Sequence, residues 1–189
     1  MSWHIKYPDW YASERQSLLQ NDVYIEKKYY FEKFLVSCGE IIVRGKFPKR
    51  FPVLIFYPAS TPYKHPSIYI LKELLSEDEL LDISKDRSNL NRIITAKKKL
   101  IYLRHQMSDG EVCFVEPDNL YKDHPLLYSI DTILNRISAW LLSCESGKYE
   151  FDSQEVEYYS HFPNKADQIR FLLPEIFYNP SLASGVFYL

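Results

Sequence analysis

The run Phe51-Pro52-Val53-Leu54-Ile55-Phe56-Tyr57, closed by Pro58, contains no polar residue and is rich in the β-branched and aromatic side chains that strands favour. Successive side chains of a strand point to opposite faces, so an all-apolar strand has two faces to bury. The chain therefore holds a sheet with Phe51–Tyr57 inside it. Its flanks agree. Val23 to Val43 is dense in Tyr, Phe, Ile and Val with interleaved Glu and Lys, which reads as two strands, Val23–Phe31 and Leu35–Arg44. Gly45-Lys46-Phe47-Pro48-Lys49-Arg50 is a turn by composition. Two prolines in Thr61-Pro62-Tyr63-Lys64-His65-Pro66 then make a corner leading into a fourth strand, Ser67-Ile68-Tyr69-Ile70. Short connections between successive strands predict an antiparallel meander.

Helices are expected on either side of it. Pro8–Gln20 has proline in its first turn and Trp10, Tyr11, Leu18 and Leu19 as apolar positions, and Asn21-Asp22 stops it. Leu126–Leu142 carries apolar residues at 126, 127, 130, 133, 134, 137, 140, 141 and 142, a helical stripe, with Gly147 just beyond. Leu71–Leu81 suggests a helix-turn or two short helices. Asp82–Lys99 is the most polar stretch and is expected to be a surface insertion, after which Leu100–Leu103 re-enters the core. Lys165–Leu173 is a candidate short helix, and the apolar tail Phe177–Leu189 has no local pattern. The expectation is thus an α+β domain over residues 1–150, with a C-terminal extension, 151–189, packed on the same domain.

Composition narrows the function classes. With 189 residues and 46% hydrophobic content, the chain can bury a core without metal or disulfide staples. A net charge of -2 offers no global basic field for nucleic acid; Lys97-Lys98-Lys99 and Lys46 to Arg50 are local clusters of the kind found at strand ends. Three cysteines, Cys38, Cys113 and Cys144, are odd in number and lack metal-ligand spacing, which argues for a reducing compartment, the cytoplasm. The start, Met1-Ser2-Trp3-His4-Ile5-Lys6, lacks a signal peptide's apolar core, and no run approaches the roughly 18 apolar residues of a membrane span. Neither membrane nor cofactor is expected.

Chemistry concentrates in His105-Gln106-Met107-Ser108-Asp109-Gly110-Glu111-Val112-Cys113. Cysteine is intrinsically nucleophilic near neutral pH, and Gly110 permits a backbone conformation that residues with a Cβ avoid. Cys113 is the candidate nucleophile, and a small buried hydrophobe is the alternative. His105 is either a loop-shaping catalytic residue or a turn histidine. Asp109, Glu116, Asp118 and Asn119 are polar neighbours in sequence, for most of which a solvated loop is sufficient account. Cys38, in a strand, and Cys144, near a helix end, need be no more than small buried side chains.

The order helix, meander, proline corner, thiol turn and long helix resembles a ubiquitin-conjugating enzyme. Thr61-Pro62-Tyr63-Lys64-His65-Pro66 is similar to that family's Tyr-Pro-Phe-x-Pro-Pro corner. His105 through Cys113 is similar to its His-Pro-Asn turn running to Gly-x-x-Cys, whose spacing Gly110 to Cys113 keeps. Tyr121 stands where the family usually has tryptophan, with Pro125 slightly later; with Gly110 and Asn119 it is assigned to shaping the loop. The resemblance covers about residues 8 to 145 and implies a UBC-like fold: a four-strand antiparallel meander with an N-terminal helix and a long C-terminal one.

It also implies thioester chemistry on Cys113, assisted by His105. A ThiF-like activating enzyme would dock on Trp10, Tyr11 and Tyr63. The acyl donor would be the C-terminus of a ubiquitin-like protein or of a CD-NTase nucleotidyltransferase, and the acceptor a target lysine. Two departures stand out. Met107 is nearest to the family's oxyanion asparagine and cannot donate a hydrogen bond, and the turn is two residues shorter. With the insertion before the turn, these features resemble the divergent bacterial members of antiphage operons such as CBASS. Three classes stay open: an active conjugating enzyme, a binding module of that fold without chemistry, and an unrelated α+β domain with an inert thiol.

Overall fold

A computed structural model describes residues 3–94, 99–103, 106–107, 109–112 and 129–146. The described chain is α+β: helices α1 (Trp3–Lys6) and α2 (Pro8–Gln20), strands β1 (Tyr24–Phe31), β2 (Leu35–Val43), β3 (Lys49–Tyr57) and β4 (Ser67–Ile70), then α3 (Glu77–Lys85), α4 (Ser88–Ile94) and α5 (Ile130–Ser146). The strands form one sheet in the order β1-β2-β3-β4, and every pair is antiparallel. This is the expected meander. The extension 151–189, with its candidate helix Lys165–Leu173, lies outside the described residues.

Sheet register follows from alternation. Val53, Ile55 and Tyr57 of β3 face one layer with Leu35, Ile41, Val43, Ile68 and Ile70, while Leu54 and Phe56 face the other with Val36, Cys38 and Tyr69. Both faces of β3 are buried from Val53 to Tyr57, as composition requires, while Phe51 and Pro52 are half-buried and Lys49 and Arg50 exposed. At Gly39 the strands approach too closely for a side chain: a Cβ would meet the Ile25 carbonyl and lie 2.7 Å from the Tyr24 ring.

The first face is covered by α1, α2 and α5. Pro8 occupies the first turn of α2, where a missing N–H costs nothing, and Asp9 there complements the helix dipole. At its other end, the Asn21 side chain accepts from the Val23 N–H at 2.9 Å and donates to Asp131 of α5 at 2.8 Å. Ile130, Ile133, Leu134, Ile137 and Leu141 form the buried stripe of α5, at the spacing read from the sequence. The described helix runs from Ile130 to Ser146, four residues beyond the expected end at Leu142, and the first residues of the expected span, 126–128, lie outside the described residues.

The second face corrects two expectations. Leu71–Leu75 is not helical; Leu71 bridges Leu100, and the helices come later. Asp82–Lys99 is not a surface insertion in its described part, because α3 and α4 bury Leu80, Ile83, Leu90, Ile93 and Ile94 against Leu54, Phe56 and Tyr69. Polar composition misled because both helices are amphipathic and short. Ser76 and Glu79 form a capping box at the start of α3, with reciprocal bonds of 3.3 and 3.0 Å. At the end of α3, the Ser84 carbonyl accepts from the Lys33 and Phe34 N–H groups of the β1–β2 turn, at 3.0 and 2.8 Å. Lys99 then ties the segment to Glu79 and Glu73.

Candidate functional site

The thiol turn is built on the edge of the sheet. Residues 106–107 and 109–112 pair with one another, with Met107 N–H donating to the Glu111 carbonyl and Gly110 N–H to the Met107 carbonyl, each at 2.8 Å. Gly110 has φ +88°, where a Cβ is strained, and a Cβ there would also lie 2.6 Å from a methyl of Leu100. Asp109 Oδ1 accepts from the Glu111 N–H at 3.1 Å, which tightens the turn. Its outgoing arm joins β4: Glu111 bridges Tyr69, and Val112 N–H donates to the Ile68 carbonyl at 2.8 Å. The candidate nucleophile is the next residue. Cys113 itself, His105, Asn119 and Tyr121 lie outside the described residues, as do Glu116, Asp118 and Pro125.

Gln106 organises this turn, a role that its sequence position did not reveal. Its side chain is fully buried; Nε2 donates to the carbonyls of Ile101 at 3.2 Å and Gly110 at 3.1 Å, and Oε1 accepts from the Leu103 N–H. The amide thus serves three backbone groups, of which the Gly110 carbonyl is buried and the other two are half-buried, and its loss would remove these bonds. A glutamine among loop residues looks solvated; only its burial reveals the function. The adjacent Met107 has no polar donor on its side chain.

The three aromatic residues assigned to a partner surface separate in the structure. Trp10 and Tyr11 of α2 are half-buried against the first core, where the Tyr11 hydroxyl meets that of Tyr29 at 2.5 Å and its ring lies 5.7 Å from Trp3. Trp10 Nε1 is buried without a hydrogen-bond partner among the described residues. Tyr63 is 59% exposed. It is held at the proline corner, where Thr61 Oγ1 donates to the Pro58 carbonyl at 2.8 Å and the Thr61–Pro62 bond is cis. Tyr63 accepts a 3.0 Å hydrogen bond from Tyr7, whose ring packs edge-on at 5.8 Å. The corner and the α1–α2 junction therefore form one surface, with Tyr63 outward.

The two described thiols differ in exposure: Cys38 is buried and Cys144 is half-buried. Cys38 is buried on the second face of the sheet, and burial pushes its thiol up. Cys144 lines a shallow cleft of about 160 Å³ with Lys49, Phe51, Leu103, Leu141 and Glu145. Among the described residues no group of three or more His, Cys, Asp or Glu side chains is placed to hold a metal ion, and no helix is long and apolar enough to cross a membrane. Comparison with family models, curated proteins and solved structures found no match to this chain.

Proposed function

We propose that the chain is an acyl carrier of the ubiquitin-conjugating type, forming a thioester on Cys113 and passing a protein C-terminus to a lysine amine, in bacterial antiphage defence. One observation carries the reading. The antiparallel meander is followed by a glycine turn that hydrogen-bonds back to its fourth strand and ends one residue before a cysteine. What supports the reading is that the described arm of the turn, up to Val112, is held by sheet backbone rather than left as a free loop. The acyl group arrives from an activating enzyme; the lysine nitrogen attacks the thioester carbonyl, the C–N bond forms, the C–S bond breaks, and the thiol recovers a proton. Thioesters react readily with amines, so alignment and desolvation of the lysine provide the acceleration. Tyr63 and the α1–α2 junction are the proposed docking surface for the activating enzyme.

Incubation of the full chain with its genomic neighbours and ATP tests this, with gels run with and without reductant. A reductant-sensitive adduct is expected in the native protein, in Cys38→Ala and in Cys144→Ala, and its loss in Cys113→Ala. Cys113→Ser should give an adduct that resists reductant, because the oxyester has a poorer leaving group. A second reading has its own observation: Met107, in the turn, offers no side-chain donor for an oxyanion. If no adduct forms with any neighbouring activating enzyme while Cys113→Ala keeps the biological activity, the chain is a binding module of this fold rather than a carrier.

A further inference from the structure

One carboxyl group is buried where three elements meet. Glu14 of α2 is 3% exposed; its Oε2 accepts from the Tyr57 hydroxyl at 2.9 Å and its Oε1 from the N–H of Ile130, the first residue of α5, at 3.2 Å. Tyr57 is fully buried in β3, with its ring stacked on Trp3 at 5.7 Å. The charged and titratable groups around Glu14 are committed elsewhere. Arg15, its neighbour on α2, makes a bidentate pair with Glu26 of β1 at 2.7 and 2.8 Å. Tyr24 of β1 is bonded to Ser37 at 2.7 Å, and Asp131 of α5 accepts from Asn21 and Asn135. Both of these donors are neutral groups, so among the described residues a charge on Glu14 is buried without a counter-ion, an arrangement that disfavours ionisation.

We infer that Glu14 is a proton-linked pin on the amino end of α5: neutral, it closes the junction between α2, β3 and α5, and ionised, it favours opening. In the closed, neutral form one oxygen accepts the Ile130 N–H and the bond to Tyr57 is reversed, the acid O–H donating to the phenol oxygen, so that no charge is buried. Loss of that proton lets both oxygens accept from Tyr57 and Ile130, but it buries a charge against two neutral donors, which compensate for lost water only in part. Burial raises the carboxyl from its ordinary 4.5 to about 7, while the bonds from Ile130 and Tyr57 oppose the rise. The sign follows from linkage. A raised value in the closed form means that closure is most stable below the ordinary value and weakens as pH rises through about 7. The device is independent of any role for Cys113.

Hydrogen exchange of the full chain, followed by NMR at the Ile130 amide and corrected for intrinsic rate, tests the pin. Protection of Ile130 should fall by roughly 10- to 100-fold between about pH 5 and about pH 8, and Glu14→Gln, which keeps an acceptor for Ile130 and a donor for Tyr57, should make it flat. Val36, in the centre of the sheet, should exchange more slowly than Ile130 at every pH. Flat protection in the native protein, an unchanged fall in Glu14→Gln, or equal rates at Ile130 and Val36 would each overturn the inference. If Glu14→Gln does not fold, a carbon-13 titration of the native Glu14 carboxyl decides. A midpoint near 7 shared with the Ile130 amide supports the pin, and titration below about 5 overturns it.

Discussion

The two faces of the sheet share strand β3 yet are covered in different ways. On the first face a 17-residue helix, α5, and a 13-residue helix, α2, contribute long continuous surfaces, and polar side chains are admitted between them: Glu14 with Tyr57, and Arg15 with Glu26, Ser37 and Tyr29. On the second, two short helices of 9 and 7 residues contribute Leu80, Ile83, Leu90, Ile93 and Ile94 to the core. The polar side chains beside it are the buried Ser84 and the largely covered Lys99–Glu79 pair, with no buried unpaired acid among the described residues. Short helices are marginal by themselves, so α3 and α4 depend on the sheet for their stability. A short cover is stabilised by apolar contact and by its caps. The longer cover has area to spare, and this permits a buried acid.

The largest expected effect compares neighbours in β3. Ile55→Ala empties a site on the first face and Phe56→Ala one on the second, where the Phe56 ring packs 5.2 Å from Phe34. Loss of a fully buried Ile should cost about 2–5 kcal/mol and of a Phe about 3–5 kcal/mol. Urea unfolding of both variants measures the two faces on one scale. If Phe56→Ala cost well under 2 kcal/mol while Ile55→Ala cost its full amount, the second layer would be peripheral rather than structural, and the equal standing of the two faces would be lost.

This comparison also explains what could be read from the sequence. The first face was legible because its signals are local: Pro8 starts α2, and the i, i+3, i+4, i+7 stripe from Ile130 marks α5 at sufficient length to separate it from a strand. The second face was implied but not located. Val53–Tyr57 required cover on both sides, yet the helices that provide it expose Glu, Asp, Lys and Arg on their outer surfaces, and their few buried positions are diluted in a polar average. At the candidate site, Gly110 was legible through its conformational freedom, whereas Gln106 and Glu14 were not. A buried polar side chain is defined by which distant backbone it serves, and sequence spacing does not encode Ile130 beside Glu14.

A smaller effect is expected at the edge shared by the two layers. Gly110 stands at φ +88° with Leu100, a second-face residue, against the position of its missing Cβ, while Val112 belongs to the first core. Gly110→Ala meets both a strained backbone and a contact with a side chain that can shift only into packed surroundings. The expected cost is about 1–3 kcal/mol, read as a shift of the urea midpoint without a change of slope. Because the turn leads into Cys113, thioester loading should fall by more than the loss of folded protein explains. Loading that simply tracked the folded fraction would separate the geometry of the turn from the proposed chemistry.

The smallest effect probes the dependence of α3 on its cap. In the capping box, the Ser76 hydroxyl accepts from the Glu79 N–H and the Glu79 carboxylate accepts from the Ser76 N–H, while the same carboxylate pairs with Lys99 at 2.9 Å. Ser76→Ala removes one acceptor at an exposed helix end, which costs typically about 1 kcal/mol. In a helix of 9 residues that loss is a large share of local stability, so it should appear first as faster hydrogen exchange in α3 and α4. Amides of α2 and α5, which cover the opposite face, should keep their protection until the whole sheet opens. Uniform acceleration across both faces would mean that the two layers open together, and the contrast between a capped short cover and a self-sufficient long one would have to be abandoned.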